Sequence, residues 1–228
     1  MLAREATDPL LLDRVARRAI ARRYAGRFYR GYAQGKLAGD PVYAAVAGML
    51  AAAPPRPLLD IGCGLGLLGQ YLHECGLLHG YLGVDFHDRR VAAGRAAGAR
   101  LSPPLELRCG DAAQLPAFQG HVALLDMLHY LPAPRQAALL HEAATRLAPD
   151  GLLLIRNVLR EANWRFHATR AEEWFLRVSG QMRVGAQHYP DANEIRAPLA
   201  ALGLTVTVQP LYGHTPFNSY LIVARHPS

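Results

Sequence analysis

The stretch Leu58-Leu59-Asp60-Ile61-Gly62-Cys63-Gly64-Leu65-Gly66 constrains this chain more than any other. An apolar run ends in an acid and then turns on three glycines at alternating positions, the pattern of a short buried strand delivering its carboxyl end into a tight turn. Glycine suits such a turn because it accepts dihedrals that a Cβ disfavours and lets a ligand approach the backbone closely. The residues that follow, Leu67 to Cys75, have helical spacing and stop at Gly76. The turn therefore lies at the mouth of a strand-helix unit, where open α/β sheets bind nucleotides.

Later segments repeat this arrangement. Gly80-Tyr81-Leu82-Gly83-Val84-Asp85 is a second apolar run ending in an acid, 21 residues beyond Gly64, and a carboxylate so placed accepts ribose hydroxyls. Leu105 to Cys109 leads into Gly110-Asp111-Ala112, and His121 to Leu125 leads into Asp126-Met127-Leu128-His129-Tyr130-Leu131-Pro132. Pro134 to Leu147 predicts a helix, and Pro149-Asp150-Gly151 predicts the turn into a fifth strand, Leu152 to Ile155. Strands alternating with helices at this spacing predict a parallel sheet covered on both faces. The stretch from Arg156 to about Arg183 holds Asn157, Trp164, Phe166, His167, Trp174 and Phe175. Both tryptophans of the chain fall here, which points to an aromatic or extended apolar ligand. Asp191 caps a helix ending near Gly203, and Leu204 to Leu211 and Asn218 to Arg225 are β-rich.

The chain has 228 residues, of which 51% are apolar. That length supports one core, so a single domain is expected. No apolar run approaches the eighteen or so residues of a membrane span, and Arg4, Glu5 and Asp8 stand before the apolar run Leu10-Leu11-Leu12. A cytoplasmic protein is the expectation. The cysteines, Cys63, Cys75 and Cys109, lack C-x-x-C spacing, so neither a disulfide framework nor a metal site is expected.

The formal net charge is +7, and Lys36 is the single lysine. Asp8-Pro9 predicts the start of a helix running to about Arg30, with Arg14, Arg17, Arg18, Arg22, Arg23, Arg27 and Arg30 interleaved with apolar residues. Such a basic amphipathic helix is either a solvated face or a surface for an acidic partner, such as a carrier protein, a phosphorylated substrate or a membrane surface. Phe28 to Leu37 then places aromatics and Lys36 between glycines, as in a segment that folds over a site, and Asp40-Pro41 begins another helix. The arginines lack the aromatic interleaving of a base-stacking surface, so nucleic acid ranks below a small molecule as the substrate.

Two patterns compete for the glycine turn. From Gly64 it fits G-x-G-x-x-G, a weak dinucleotide signal, and from Asp60 it fits D-x-G-x-G-x-G. In the second form it resembles motif I of the class I S-adenosylmethionine-dependent methyltransferases, and Asp126 to Pro132 resembles the D-x-L-H-x-L-P segment of their small-molecule members. The resemblance implies a Rossmann-like α/β fold with a seven-stranded sheet of order 3-2-1-4-5-7-6, an antiparallel last strand, helices on both faces and an N-terminal helical lid. Within one methyltransferase domain, residues 1–55 would be the lid, 56–157 the cofactor-binding core, 158–203 substrate-recognition helices and 204–228 a closing hairpin.

The resemblance also assigns roles. Asp60, Gly62, Cys63, Gly64 and Gly66 would dock the methionine half of S-adenosylmethionine, with Asp60 meeting its ammonium. Asp85 would accept the ribose hydroxyls, Phe86 would pack beside the adenine, Asp111 would accept the adenine amino group, and the backbone of Ala112 would lie near the ring. Asp126 and Met127 would line the cleft, and His129 is the candidate base. Tyr32, Lys36, Trp164, His188 and His214 are substrate-side candidates. The expected activity is methyl transfer to a small-molecule acceptor, such as a hydroxyl compound of a bacterial biosynthetic pathway. The alternatives are a non-catalytic scaffold retaining the nucleotide pocket and an NAD-dependent reductase, the latter lacking a Tyr-x-x-x-Lys pair in the expected place.

Overall fold

The computed structural model describes residues 10–169, 185–213 and 216–227. Seven strands form one sheet: β1 (Leu58–Ile61), β2 (Tyr81–Asp85), β3 (Glu106–Cys109), β4 (His121–Leu125), β5 (Leu153–Val158), β6 (Thr205–Pro210) and β7 (Ser219–Arg225). Their order is β3-β2-β1-β4-β5-β7-β6, as expected. The first five run parallel, and β7 is antiparallel to both β5 and β6. The helices are α1 (Arg14–Arg22), α2 (Arg27–Gly39), α3 (Val42–Ala51), α4 (Leu67–Glu74), α5 (Asp88–Gly98), α6 (Ala133–Ala144) and α7 (Ala192–Ala201).

The alternation along β1 explains why both faces are covered. Leu58 joins a core cluster with Ile20 of α1, Leu37 of α2, Val46 of α3, Leu68 of α4 and Val91 of α5. Leu59 and Ile61 point the other way, into a cluster with Leu139 and Leu140 of α6 and Ile195 and Leu199 of α7. A strand buried on both faces reads as a continuous apolar run, which is the pattern that stands before Gly62.

The N-terminal region departs from the expected single helix. The proposed cap at Asp8 and Pro9 lies outside the described residues, and α1 is capped instead by Asp13, whose Oδ1 accepts from Ala16 N at 2.7 Å. The helix does not continue to Arg30: it breaks at Gly26, with φ 79°, and α2 restarts at Arg27. Tertiary contacts hold the break. Tyr24 is buried, with its hydroxyl donating to Leu65 O at 2.9 Å, and Arg23 donates to Gln70 Oε1 at 2.6 Å and pairs with Glu74 of α4. The glycine-spaced stretch from Phe28 to Leu37 is likewise helical, within α2, because Gly31 and Gly35 face open space while Ala33 and Leu37 bury against the core. Asp40 supports the start of α3, accepting from Val42 N at 3.1 Å.

Candidate functional site

The site gathers at the carboxyl ends of β1 to β5. Gly62, Gly64 and Gly66 all have positive φ, at 78°, 55° and 70°, as the alternating glycines require. Their surroundings differ. A Cβ on Gly62 would lie 3.0 Å from Met127 Sδ, and one on Gly66 would lie 2.9 Å from Leu107, so these two glycines permit close packing. A Cβ on Gly64 would meet no atom within 4 Å, which leaves the backbone there open to a ligand.

Asp85 at the end of β2 organises this turn. Its Oδ2 accepts from Gly64 N at 2.8 Å and its Oδ1 from His87 N at 2.8 Å. Each carboxylate oxygen keeps a second lone pair. Phe86, the next residue, is 78% exposed beside this edge and offers an uncovered ring face. At the end of β3, Gly110 N donates to Asp85 O at 3.1 Å, which draws the following loop toward the same rim. Asp111 is exposed there, with one oxygen closing a turn to Ala113 N at 2.9 Å, and Ala112 is half-buried against the core.

Asp60 is 3% exposed, and its Oδ2 accepts from the buried Tyr81 hydroxyl at 2.6 Å. Burial pushes its carboxyl up to about 7; the Tyr81 hydrogen bond pulls the other way and Asp85 adds to the rise. Burial also raises the Cys63 thiol, so Cys63 sits in the turn as a small neutral packing group beneath Gly83.

Asp126, immediately after β4, has φ 58°, in the left-handed region rarely taken by a side-chain-bearing residue. Its carboxylate pairs with Arg156 of β5 and lies 3.7 Å from Lys36 Nζ of α2. Lys36 also pairs with Asp40 at 3.0 Å, and Arg156 approaches the same Asp40 oxygen at 3.4 Å. Burial works to raise the Asp126 carboxyl, but the Arg156 and Lys36 cations outweigh it and hold it below the usual carboxylate range. Two cations and two acids thus latch helix α2 and the start of α3 onto the sheet. Within the latch, Arg156 Nε is buried without a hydrogen-bond partner among the described residues.

His129 lies in a 3-10 turn, Leu128–Tyr130, and is 7% exposed. Its Nδ1 is 2.9 Å from Asn157 Oδ1, and Asn157 Nδ2 donates to Val158 O at 2.8 Å. That amide orientation makes Oδ1 the acceptor, so Nδ1 carries the proton and Nε2 holds the free lone pair of the neutral ring. Tyr189 stacks on the imidazole at 5.8 Å and 9°, and Phe166 meets Tyr189 edge-on at 5.2 Å.

The sequence-predicted residues are thus brought together unequally. Asp60, Gly62, Cys63, Gly64, Gly66, Asp85, Phe86, Asp111, Ala112, Asp126 and Met127 share one rim. Tyr32 is 42% exposed on α2, one turn from Lys36, and Lys36 is held in the latch rather than solvated. Trp164 is 63% exposed, with Arg165 4.7 Å from its ring centroid. The His188 ring bonds Glu194 of α7 at 2.9 Å, which directs it to the helix cap. His214, Trp174 and Phe175 lie outside the described residues. Sequence reasoning missed Arg156, Asp40, Tyr81 and the pairing role of Asn157. The one available signal was a cation and an amide continuing an otherwise apolar strand beyond Ile155.

Comparison with known proteins agrees with this geometry. Residues 58–151 match the family model described as a methyltransferase domain. A curated relative, the ubiquinone biosynthesis O-methyltransferase of Bordetella avium (strain 197N), is 23% identical over 153 residues, covering 65% of this chain and 62% of that protein. The match thus spans less than two thirds of that relative's length. Among solved structures, magnesium protoporphyrin IX methyltransferase from Synechocystis PCC 6803 with bound S-adenosylhomocysteine superimposes with a TM-score of 0.65 at 19% identity, covering 89% of each chain. An O-methyltransferase family protein from Burkholderia thailandensis gives a TM-score of 0.65 at 21% identity, covering 98% of this chain and 66% of that one. With the strand order and the D-x-G-x-G-x-G turn, these matches show that the chain has the fold of the class I S-adenosylmethionine-dependent methyltransferases and that residues 58–151 match a methyltransferase domain.

Proposed function

We propose that this protein transfers a methyl group from S-adenosylmethionine to a hydroxyl of a small, aromatic or extended apolar molecule. The rim fits that cofactor on its own chemistry: open backbone at Gly64, unused lone pairs on Asp85, the bare ring of Phe86, and a buried Asp60 whose ionised form lacks a cation. Gly62, Gly64 and Gly66 with Asp60 would hold the methionine half. Asp85 would take the ribose, and Phe86, Asp111 and Ala112 the adenine. When bound, S-adenosylmethionine supplies a sulfonium methyl that is already activated, so the protein's tasks are alignment, exclusion of water and removal of one proton.

The observation that carries the hydroxyl assignment is the His129-Asn157 pair. Asn157 accepts from Nδ1, so Nε2 is the nitrogen that would act as the acceptor. A phenol, with a reference value near 10 for tyrosine, is a poor nucleophile at neutral pH until such a base takes its proton. Tyr189 and Phe166 continue the aromatic wall from the imidazole, and Trp164 is the exposed aromatic nearest in sequence, which supports a flat apolar acceptor. The curated relative's name carries the same reaction class, transfer to oxygen.

The test uses S-adenosylmethionine labelled with tritium in the methyl group and a panel of phenols. His129→Ala should slow label transfer by roughly 10²- to 10⁴-fold while leaving S-adenosylhomocysteine binding unchanged. Asn157→Ala should act through His129: a smaller loss in kcat with a displaced pH profile. Full activity of the His129 variant, or wild-type transfer only to carbon or amine acceptors, would overturn the assignment.

A further inference from the structure

The structure sorts the seven arginines between residues 14 and 30 into two sets. Arg17 donates to the carbonyls of Asp13, Leu37 and Ala38 at 3.3 to 3.4 Å, and Arg23 binds Gln70 and Glu74. Those two hold α1 against α2 and α4. The guanidiniums of Arg14, Arg18, Arg22, Arg27 and Arg30 make no hydrogen bond or ion pair among the described residues, whereas those of Arg17 and Arg23 do. The only acid between residues 10 and 39 is Asp13, and its carboxylate already caps α1.

Three of the unpaired arginines converge. A groove of about 270 Å³ between α1 and α2 is lined by Arg18, Ala21, Arg22, Arg30 and Gln34. The spacing accounts for it: Arg18, Ala21 and Arg22 stand at i, i+3 and i+4 on one helix, and Arg30 and Gln34 at i and i+4 on the next, so each set projects from one face. Three guanidiniums remain charged at any working pH and repel one another, and no carboxylate lines the groove to offset them. Gln34 adds a neutral donor and acceptor. Such a fork-bearing concavity matches a multiply charged oxyanion, which guanidinium groups bind bidentately.

We propose that this groove binds the phosphate or diphosphate group of a small-molecule ligand. The concavity favours that occupant over a flat bilayer, whose headgroups meet a convex or planar basic face, because a compact anion can enter between the helices and touch all three guanidiniums. The site is separate from the methyl-transfer rim and does not rest on the assigned reaction.

Inorganic pyrophosphate is the probe, titrated calorimetrically into the full chain at low ionic strength. Binding should be saturable and should weaken at least tenfold in the triple variant Arg18→Gln, Arg22→Gln, Arg30→Gln. It should persist in Arg100→Gln, Arg196→Gln, Arg225→Gln, which removes the same charge from exposed positions elsewhere. Thermal unfolding of both variants, and the single variant Arg18→Gln, separate a lost site from a lost fold. Equal weakening in both triple variants would reduce the effect to net charge and overturn the proposal. So would absence of pyrophosphate binding, including the case in which phosphatidylglycerol vesicles bind instead.

Discussion

Asp60 gives the sharpest test of how this pocket holds its cofactor. Its carboxyl is 3% exposed and is pushed from 3.8 up to about 7 by burial. The native protein therefore keeps a proton between pH 3.8 and about 7, where the unfolded chain has released it. The stability contributed by this group is complete below 3.8 and is lost as pH rises to about 7, an interval worth about 4 kcal/mol at about 1.4 kcal/mol per pH unit. A ligand ammonium reverses that preference, because it attracts the ionised form. Binding below about 7 must then release a proton from Asp60, and affinity should rise about tenfold per pH unit until that point. Above about 8 the α-amino group of the ligand itself loses its charge, so affinity should fall again.

Calorimetry of S-adenosylhomocysteine from pH 5.5 to 8.5, in buffers of differing ionisation enthalpy, measures both affinity and released protons. The expected maximum lies between about 7 and about 8, with binding at pH 5.5 weaker by about 20-fold than at 7.5. Asp60→Asn should flatten the acidic limb and bind weakly throughout. Tyr81→Phe removes the hydrogen bond that favours the ionised form, so it should move the acidic limb to higher pH. A wild-type profile that is flat from 5.5 to 7, with no proton released, would show that Asp60 does not meet the ammonium.

Two other perturbations address the rest of the rim and the latch. Asp85→Ala leaves Gly64 N and His87 N without their acceptor and removes the proposed ribose contacts; adenosine and S-adenosylhomocysteine should both bind at least tenfold more weakly, at about 1.5–3 kcal/mol per bond to a charged group, and unchanged adenosine affinity would exclude Asp85 from the ribose. Arg156→Leu leaves Lys36 as the remaining cation for both Asp126 and Asp40, so urea unfolding should show a loss smaller than the about 3–5 kcal/mol of a fully unpaired buried charge, with the double variant Arg156→Leu, Asp126→Leu recovering part of it.

The division between what the residues announced and what folding added follows from the range of the forces. The glycine turn, the acids at the ends of β2 and β4 and the alternation of strands with helices are local patterns. The cofactor class and the sheet order came from the resemblance to the methyltransferase family. Positive φ at Gly62, Gly64 and Gly66, and apolar runs buried on both faces, are properties of short segments, and they carried the nucleotide-binding mouth and the parallel sheet. The closing strands were legible for the same reason. The helix break at Gly26 was not, because Tyr24 and Arg23 are drawn away by α4 and the β1 turn, contacts 41 to 51 residues distant. Lys36, a substrate-side candidate in the sequence, is held by Asp40 and Asp126, and Arg156, 116 residues beyond Asp40, completes the cluster. The tautomer of His129 depends on Asn157, one strand over, and the five unpaired arginines are distinguishable from Arg17 and Arg23 only once two helices are packed. The sequence by itself determined the βα mouth, its glycines and its acids, since each requires only neighbours along the chain; tertiary structure alone decided which charges find partners, because pairing depends on distances that no local pattern encodes.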